Sequence, residues 1–178
     1  CALAAEADLL VANAGRGWAG ELSDMPGELV GSLVALNLEA PLRLARAAAA
    51  GMRERGGGHL AFVASIAVVG VREEAVYSAT KAGLRAFAAS LRHELGPHGV
   101  GVTTVLPGAV RTEFFRRRGR PYDRTVPRPV APAVVADALV RAVQRGRAEV
   151  FVPGWLGAAA RLQGLAPATF HRLAGRFG

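Results

Sequence analysis

One tyrosine and the only lysine of the chain lie at a spacing that suits proton transfer. Lys81 is the sole lysine among 22 Lys and Arg residues, and it follows Tyr77 by four positions. Four residues are about one helical turn, so in a helix the phenol and the ammonium share a face. A nearby positive charge favours the phenolate and lowers the pKa of a tyrosine, which can then exchange a proton with an alcohol or a carbonyl. The same spacing also arises by chance, so further features of the sequence must show whether Tyr77 and Lys81 are functional.

A serine in a predicted strand end is the first of those features. Ser65 follows the apolar run at 60–64 and precedes Tyr77 by twelve residues. Ligands of open α/β sheets bind at the carboxyl ends of strands. There, a serine hydroxyl and a tyrosine from the next helix can hold a substrate oxygen between two donors. Other predicted strand ends carry Asn13-Ala14-Gly15, Pro107-Gly108 and Pro153-Gly154.

Short apolar runs and longer helical patterns alternate along the chain. The apolar runs predict strands at 9–12, 60–64, 100–106 and 149–152. Helices are expected at about 25–55, 76–95 and 132–144, the first with Ser23 or Asp24 as its cap and Pro26 in its first turn. Apolar strands separated by helices indicate a parallel sheet covered on both faces, an α/β fold of three layers.

Composition favours one domain and excludes several classes of site. A chain of 178 residues with 51% hydrophobic content suits a single domain over residues 1–178. Cys1 is the only cysteine and the four histidines are scattered, so we expect neither disulfides nor a metal site. No apolar stretch approaches the roughly twenty residues that span a bilayer, and no signal peptide is evident. We therefore expect a soluble cytoplasmic protein.

The net charge of +8 raises the question of a nucleic-acid partner. The densest basic run, at 116–120, lies in a proline-rich loop, and no nucleic-acid recognition motif accompanies it. We interpret the run as a solvated loop and expect no nucleic-acid binding. The segment from Gly15 to Gly20 formally matches the dinucleotide pattern G-x-G-x-x-G. We reject that match because Trp18 sits inside it and no helix is predicted to begin there.

Taken in order, the motifs resemble those of the short-chain dehydrogenase/reductase family over nearly the whole chain. The matching elements are Asn13-Ala14-Gly15, Asn37 in a helix, Ser65, the pair Tyr77 and Lys81, and Pro107-Gly108-Ala109-Val110-Arg111-Thr112. Five matches in order are more specific than any one alone. The resemblance implies a partial Rossmann-like, doubly wound sheet. It also implies an NAD(P)-dependent oxidoreductase that acts on a small alcohol or carbonyl.

The resemblance assigns a role to each of four catalytic candidates. Tyr77 would donate or accept the proton, Ser65 would orient the substrate oxygen, and Lys81 would bind the cofactor ribose and lower the pKa of Tyr77. The main-chain carbonyl of Asn37 would hold a water in a proton relay. Pro41 lacks an N–H, so a helix running through it cannot bond to that carbonyl, which predicts a kink. Asn37 at such a kink is otherwise only a tolerated polar residue.

The cofactor, NAD or NADP, would lie along several strand ends. By resemblance, Asn13 and Gly15 line its adenosine side, and Val110 and Thr112 meet the nicotinamide carboxamide. The full expected cofactor set is Asn13, Ala14, Gly15, Tyr77, Lys81, Pro107, Gly108, Val110 and Thr112. A substrate lid is expected as a loop over 113–131. Its arginines either pair with an anionic substrate or face solvent, and we favour solvent.

The first part of the family pattern, a glycine-rich strand-turn-helix, has no match here. We therefore expect a fragment of a larger enzyme, with residues 9–12 as an apolar sheet edge that is prone to association. The alternative is a remnant without catalysis that serves as an interaction module. A pair of basic amphipathic helices is expected at 155–177, covering the pocket, contacting another subunit or lying on a membrane surface. Family members commonly form homodimers or homotetramers, here through alanine-rich faces at 45–50 and 86–89.

Overall fold

Residues 2–174 are described by a computed structural model of the chain, with a four-stranded parallel sheet at its centre. The strands are β1 (Leu9–Ala12), β2 (Gly58–Val63), β3 (Val100–Pro107) and β4 (Glu149–Val152), and they neighbour one another in that order. Every pair is parallel. All four strands stand where the sequence predicts them, within two residues at each end. Their carboxyl ends therefore meet along one edge of the sheet, where ligands of such folds bind.

Eight α-helices connect and cover the strands of the described chain. They are α1 (Ala2–Glu6), α2 (Gly27–Val34), α3 (Ala40–Arg55), α4 (Ala75–Leu95), α5 (Phe114–Arg117), α6 (Pro132–Gln144), α7 (Leu156–Leu165) and α8 (Pro167–Ala174). Short 3-10 turns occupy Leu22–Asp24, Ile66–Val69 and Gly96–His98. The α/β fold with helices on both faces is confirmed.

The helix predicted at 25–55 is wrong as one continuous element. Its residues divide into α2, one π-helical turn over Ala35–Glu39, and α3. The π-turn ends just before Pro41, where the missing proline N–H predicted a break in the helical bonding. The predicted cap is also wrong, because Ser23 and Asp24 form a 3-10 turn and α2 starts after Pro26 without a side-chain cap. No helix begins at Gly15 to Gly20, in agreement with the rejected dinucleotide match.

The main hydrophobic core lies on one face of the sheet, under α3 and α4. Alternate residues of β2 and β3, such as Leu60 and Val102, point into it, because successive side chains of a strand face opposite ways. Ala45, Ala48 and Ala88 are fully buried there. The alanines expected at a subunit contact therefore include several that pack inside the chain. On the other face, α6 packs against β3 and β4.

Strand β1 forms an edge of the described sheet, bonded only to β2. Leu9 and Val11 on that strand are 46% and 42% exposed. This is the apolar sheet edge that the sequence predicts. In residues 2–174, no helix is both long and apolar enough to cross a bilayer. The expected helical pair near the end of the chain corresponds to α7 and α8, and residues 175–178 lie outside the described range. The single-domain organisation over 1–178 stays a prediction.

Helix α4 is tied to the sheet by two arginines, one in the middle of the helix and one in its last turn. Arg85 donates two hydrogen bonds to the carboxylate of Glu149 at the start of β4, at 2.7 and 2.9 Å. Arg92 donates to the main-chain carbonyls of Val102 and Ala148, at 3.1 and 2.8 Å. A bidentate arginine restricts both distance and orientation. Helix α4 is thereby held to strands β3 and β4 of the sheet.

Candidate active site

Tyr77 and Lys81 share one face of α4, as their spacing predicts. Both are buried, with 8% and 4% of their surface exposed. The Lys81 ammonium lies 5.9 Å from the centroid of the Tyr77 ring. It donates a hydrogen bond of 2.8 Å to the carbonyl of Val63, the last residue of β2. The helix therefore presents a phenol and an ammonium together at the carboxyl end of the sheet.

Burial controls the titration of both groups. It raises the pKa of Tyr77 to about 12, while a side-chain hydrogen bond with Ser65 lowers it, Glu74 raises it and Arg118 lowers it. Burial also lowers the pKa of Lys81 to about 8. The expectation that Lys81 holds the pKa of Tyr77 down differs from this result. Lys81 directs its ammonium to Val63, and desolvation of the phenolate outweighs the attractions around it.

Ser65 lies just beyond β2 and caps the 3-10 turn at Ile66–Val69. Its hydroxyl accepts a hydrogen bond of 3.1 Å from the N–H of Ala67, which fixes the oxygen at the strand end. Ser65 also lowers the pKa of the nearby Tyr77 phenol, so the two side chains lie side by side at this strand end. The structure thus unites Ser65, Tyr77 and Lys81, which the sequence separates by up to sixteen positions.

Asn37 lies in the π-turn next to this site and is buried, with 1% of its surface exposed. Its amide nitrogen donates to the Arg16 carbonyl at 2.8 Å and to the Thr80 hydroxyl at 3.2 Å. Its amide oxygen accepts from the Arg16 N–H at 2.9 Å. The side chain thereby fastens the loop after β1 to α4. Sequence reasoning pointed to the main-chain carbonyl of Asn37 and missed this role, because Arg16 is distant in sequence.

Gly15 lies where Asn37 and Lys81 approach each other. A methyl group at this position would stand 3.3 Å from the amide oxygen of Asn37 and 3.4 Å from the ammonium of Lys81. The missing side chain therefore leaves a small polar cradle. A backbone cradle next to an ammonium suits an incoming hydroxyl or amide group of a ligand.

These residues open onto one cleft of about 860 Å³ at the carboxyl ends of the strands. The predicted site residues that line it are Asn13, Gly15, Ser65, Tyr77, Lys81, Pro107, Gly108, Val110 and Thr112. Ala14 is exposed and does not line it, and Asn37 stands behind the wall. A cleft of this size holds a ligand larger than a simple alcohol.

The segment predicted as a lid borders the same cleft, but part of it is helical. Residues Phe114–Arg117 form the short helix α5. The rings of Phe114, Phe115 and Tyr122 stand in a row that we call the aromatic wall. Phe114 lies 5.4 Å from the Tyr77 ring, centroid to centroid. Sequence reasoning missed these rings because it followed the arginines of the segment.

The interpretation that the lid arginines face solvent is wrong for Arg118. Its side chain is 6% exposed and forms an ion pair with Glu74, the residue before α4. Arg120 pairs with Glu73 and with Asp123. Burial raises the pKa of Glu74, and the nearby Arg118 opposes that rise. Glu74 and Glu73 thus neutralise two of the lid arginines, Arg118 and Arg120.

Comparison with known proteins shows which family this chain resembles. The sequence model of the short chain dehydrogenases matches residues 3–123. An uncharacterized oxidoreductase of Myxococcus xanthus is 35% identical over 170 residues, which cover 93% of this chain and 66% of that protein. The probable oxidoreductase EphD of Mycobacterium tuberculosis is 34% identical over 156 residues, covering 78% of this chain and 26% of that protein.

Among solved structures, a short-chain dehydrogenase from Sphingobium yanoikuyae in complex with NADPH superposes with a TM-score of 0.79 and 30% identity. The match covers 94% of this chain and 64% of that one. The chain thus spans from about a quarter to about two thirds of the length of these three proteins. Because the family model covers well over half of the chain, this protein belongs to the short-chain dehydrogenase family.

Proposed function

We propose that this chain carries the catalytic centre of an NAD(P)-dependent oxidoreductase that acts on an alcohol or carbonyl. One observation carries the proposal: the Ser65 hydroxyl, the Tyr77 phenol and the Lys81 ammonium converge at one end of a single cleft. Family membership and the NADPH bound to the Sphingobium enzyme support it. A homodimer or homotetramer in the cytoplasm belongs to the same proposal.

Tyr77 is the proton donor in this proposal. With a pKa raised to about 12, the phenol is protonated at neutral pH and has a proton to give. A carbonyl oxygen placed between the hydroxyls of Tyr77 and Ser65 gains negative charge as the carbonyl is reduced. Donors that already stand in place stabilise that charge without rearrangement. Ser65 is suited to this because the Ala67 N–H fixes its oxygen.

The residues present fit a nicotinamide dinucleotide on the other side of the cleft. The cradle at Gly15 gives a ligand hydroxyl room to approach the Lys81 ammonium. Asn13 and Thr112 add polar groups to the lining, and Val110 adds an apolar surface. We propose Lys81 as the ribose contact, with Asn13 and Gly15 on the adenosine side and Val110 and Thr112 near the carboxamide. When bound, the cofactor supplies or accepts the hydride.

The test combines binding with turnover. The protein is titrated with NADH and NADPH while nucleotide fluorescence is followed, and a panel of ketones and aldehydes is then assayed for oxidation of the bound nucleotide. Saturable binding together with turnover is the expected result when this chain is joined to a glycine-rich strand-turn-helix of the family, whereas residues 1–178 alone are expected not to bind nucleotide. Binding without turnover on any substrate would favour the interaction-module alternative, and the absence of both from the joined protein would contradict the proposal.

A further inference from the structure

A buried ion pair connects the lid to the residue that precedes helix α4. The side chains of Glu74 and Arg118 are 9% and 6% exposed, and Glu74 precedes Tyr77 by three positions. Glu74 also lines the cleft. The neighbouring pair of Glu73 and Arg120 is more open, with side chains 24% and 46% exposed. Two ion pairs therefore join the same two segments, one of them buried and one not.

The guanidinium of Arg118 donates its hydrogen bonds to other groups of the chain. Besides Glu74, it donates to the carbonyl of Arg120 at 3.1 Å and to that of Pro121 at 3.4 Å. Its guanidinium lies over the ring of Phe115, 4.8 Å from the centroid. A planar guanidinium can bond along its edge and stack on its face at once. Arg118 therefore fixes the backbone of the lid and one ring of the aromatic wall together.

The loop after β1 also contacts both the lid and the residues before α4. The N–H of Ala19 donates to the Arg118 carbonyl at 3.3 Å, and that of Gly20 donates to the Glu73 carbonyl at 2.9 Å. A methyl group at Gly17 would stand 2.7 Å from the Phe114 ring. Phe114 is thus held between this loop and Tyr77, on the cleft side of the junction.

We propose that Glu74 and Arg118 are positioning residues: their buried ion pair is a latch that holds the aromatic wall against the active site. The latch keeps Phe114 beside Tyr77 and withdraws the Arg118 charge from the cleft. Removing one partner of a buried pair leaves an uncompensated charge, which is far more costly than losing an exposed pair. The role in catalysis rests on the proposed function, but the latch itself does not.

Limited digestion with trypsin tests the latch on the full chain, because the lid is rich in arginine. Glu74→Gln leaves every cleavage site in place and removes the charge that Arg118 needs. We expect cleavage within residues 113–131 to become roughly tenfold faster or more, as local opening exposes the lid. Glu73→Gln is the matched control and should cleave at nearly the wild-type rate. Equal rates for the two variants would overturn the proposal.

A double variant separates latch opening from general unfolding. Cleavage at arginines of α3, such as Arg43 and Arg46, reports global unfolding. Glu74→Met combined with Arg118→Met removes both charges, and an apolar pair of similar size is tolerated in a buried site. We expect it to restore most of the protection that Glu74→Gln loses at Arg116, Arg117 and Arg124, lid cleavage sites that both variants keep. Protection no better than in the single variant would overturn the proposal.

Kinetics give a readout that a purely structural role would not move. In active protein, Glu74→Gln should raise KM for the carbonyl substrate by roughly fivefold or more while kcat stays within about twofold, since the wall positions substrate and burial, the main cause of the raised Tyr77 pKa, keeps that hydroxyl protonated. A fall in kcat with KM unchanged would contradict the positioning role. Digestion needs neither cofactor nor substrate, so failure of the latch and failure of the proposed function can be told apart.

Discussion

The ammonium of Lys81 donates its hydrogen bond to the carbonyl of Val63, across the boundary between helix α4 and the end of strand β2. This contact places the only lysine of the chain at the carboxyl edge of the sheet, beside Tyr77. A compact ammonium with a pKa lowered by burial to about 8 can respond to the protonation of its surroundings. A guanidinium at this position would stay charged throughout.

Lys81 makes the stability of the protein depend on pH. Its pKa is about 8 when folded and 10.5 when unfolded, so between these values the unfolded chain binds more protons and stability rises with pH. At about 1.4 kcal/mol per pKa unit, the wild type should gain roughly 1–2 kcal/mol between pH 7 and pH 9.5.

Urea denaturation of the wild type and Lys81→Met at both pH values checks this expectation. Methionine has no charge to lose, so the variant should lack that gain. Tyr77 does not disturb the comparison, because its raised pKa changes stability only above about pH 10. Parallel pH dependence in the two proteins would show that Lys81 is not desolvated as the structure has it.

Asn37 should contribute to stability through its side chain. Asn37→Ala removes the partners of both main-chain groups of Arg16, while the Thr80 hydroxyl keeps its hydrogen bond to the Tyr77 carbonyl. Leaving such groups unpaired should lower the free energy of unfolding by about 2–4 kcal/mol. Ser32→Ala is the control, since it removes only an exposed contact to the Arg16 side chain. Denaturant melts that show equal effects of the two substitutions would refute the fastening role.

Gly15 should matter for nucleotide affinity more than for folding. In Gly15→Ala the added methyl group would fill the cradle between Asn37 and Lys81, 3.3 Å from the amide oxygen and 3.4 Å from the ammonium, so the Asn37 side chain must shift by a few tenths of an ångström. We expect nucleotide affinity to fall roughly tenfold, about 1.4 kcal/mol of binding free energy. Gly31→Ala, with open space around it, should leave affinity unchanged. Titration by nucleotide fluorescence compares them, and equal affinities would remove Gly15 from the cofactor site.

Local patterns in the sequence predict the strands of the sheet and the shared face of Tyr77 and Lys81. Apolar runs that end at Pro107-Gly108 and Pro153-Gly154 mark strand ends well, because proline and glycine interrupt strands locally. The shared face of Tyr77 and Lys81 follows from helical periodicity alone. Both depend on residues near one another in the chain, where spacing determines geometry.

The remaining features depend on contacts between distant residues. The burial of Arg118 requires Glu74, 44 positions earlier, and composition alone assigns an arginine to solvent. The raised pKa of Tyr77 depends on how deeply the fold buries the phenol, which spacing to Lys81 does not reveal. The π-turn likewise places Asn37 against Arg16, a contact between separate elements.

The catalytic role of Tyr77 is tested most directly by removing its hydroxyl. Tyr77→Phe keeps the ring against Phe114 but has no proton to give. We predict a loss in kcat of roughly 100-fold or more, in the range of general acid catalysis, with nucleotide affinity nearly unchanged. Tyr122→Phe loses only a hydroxyl bonded to the carbonyl of Pro127 and should lose far less. Turnover by Tyr77→Phe at the wild-type rate would contradict the account.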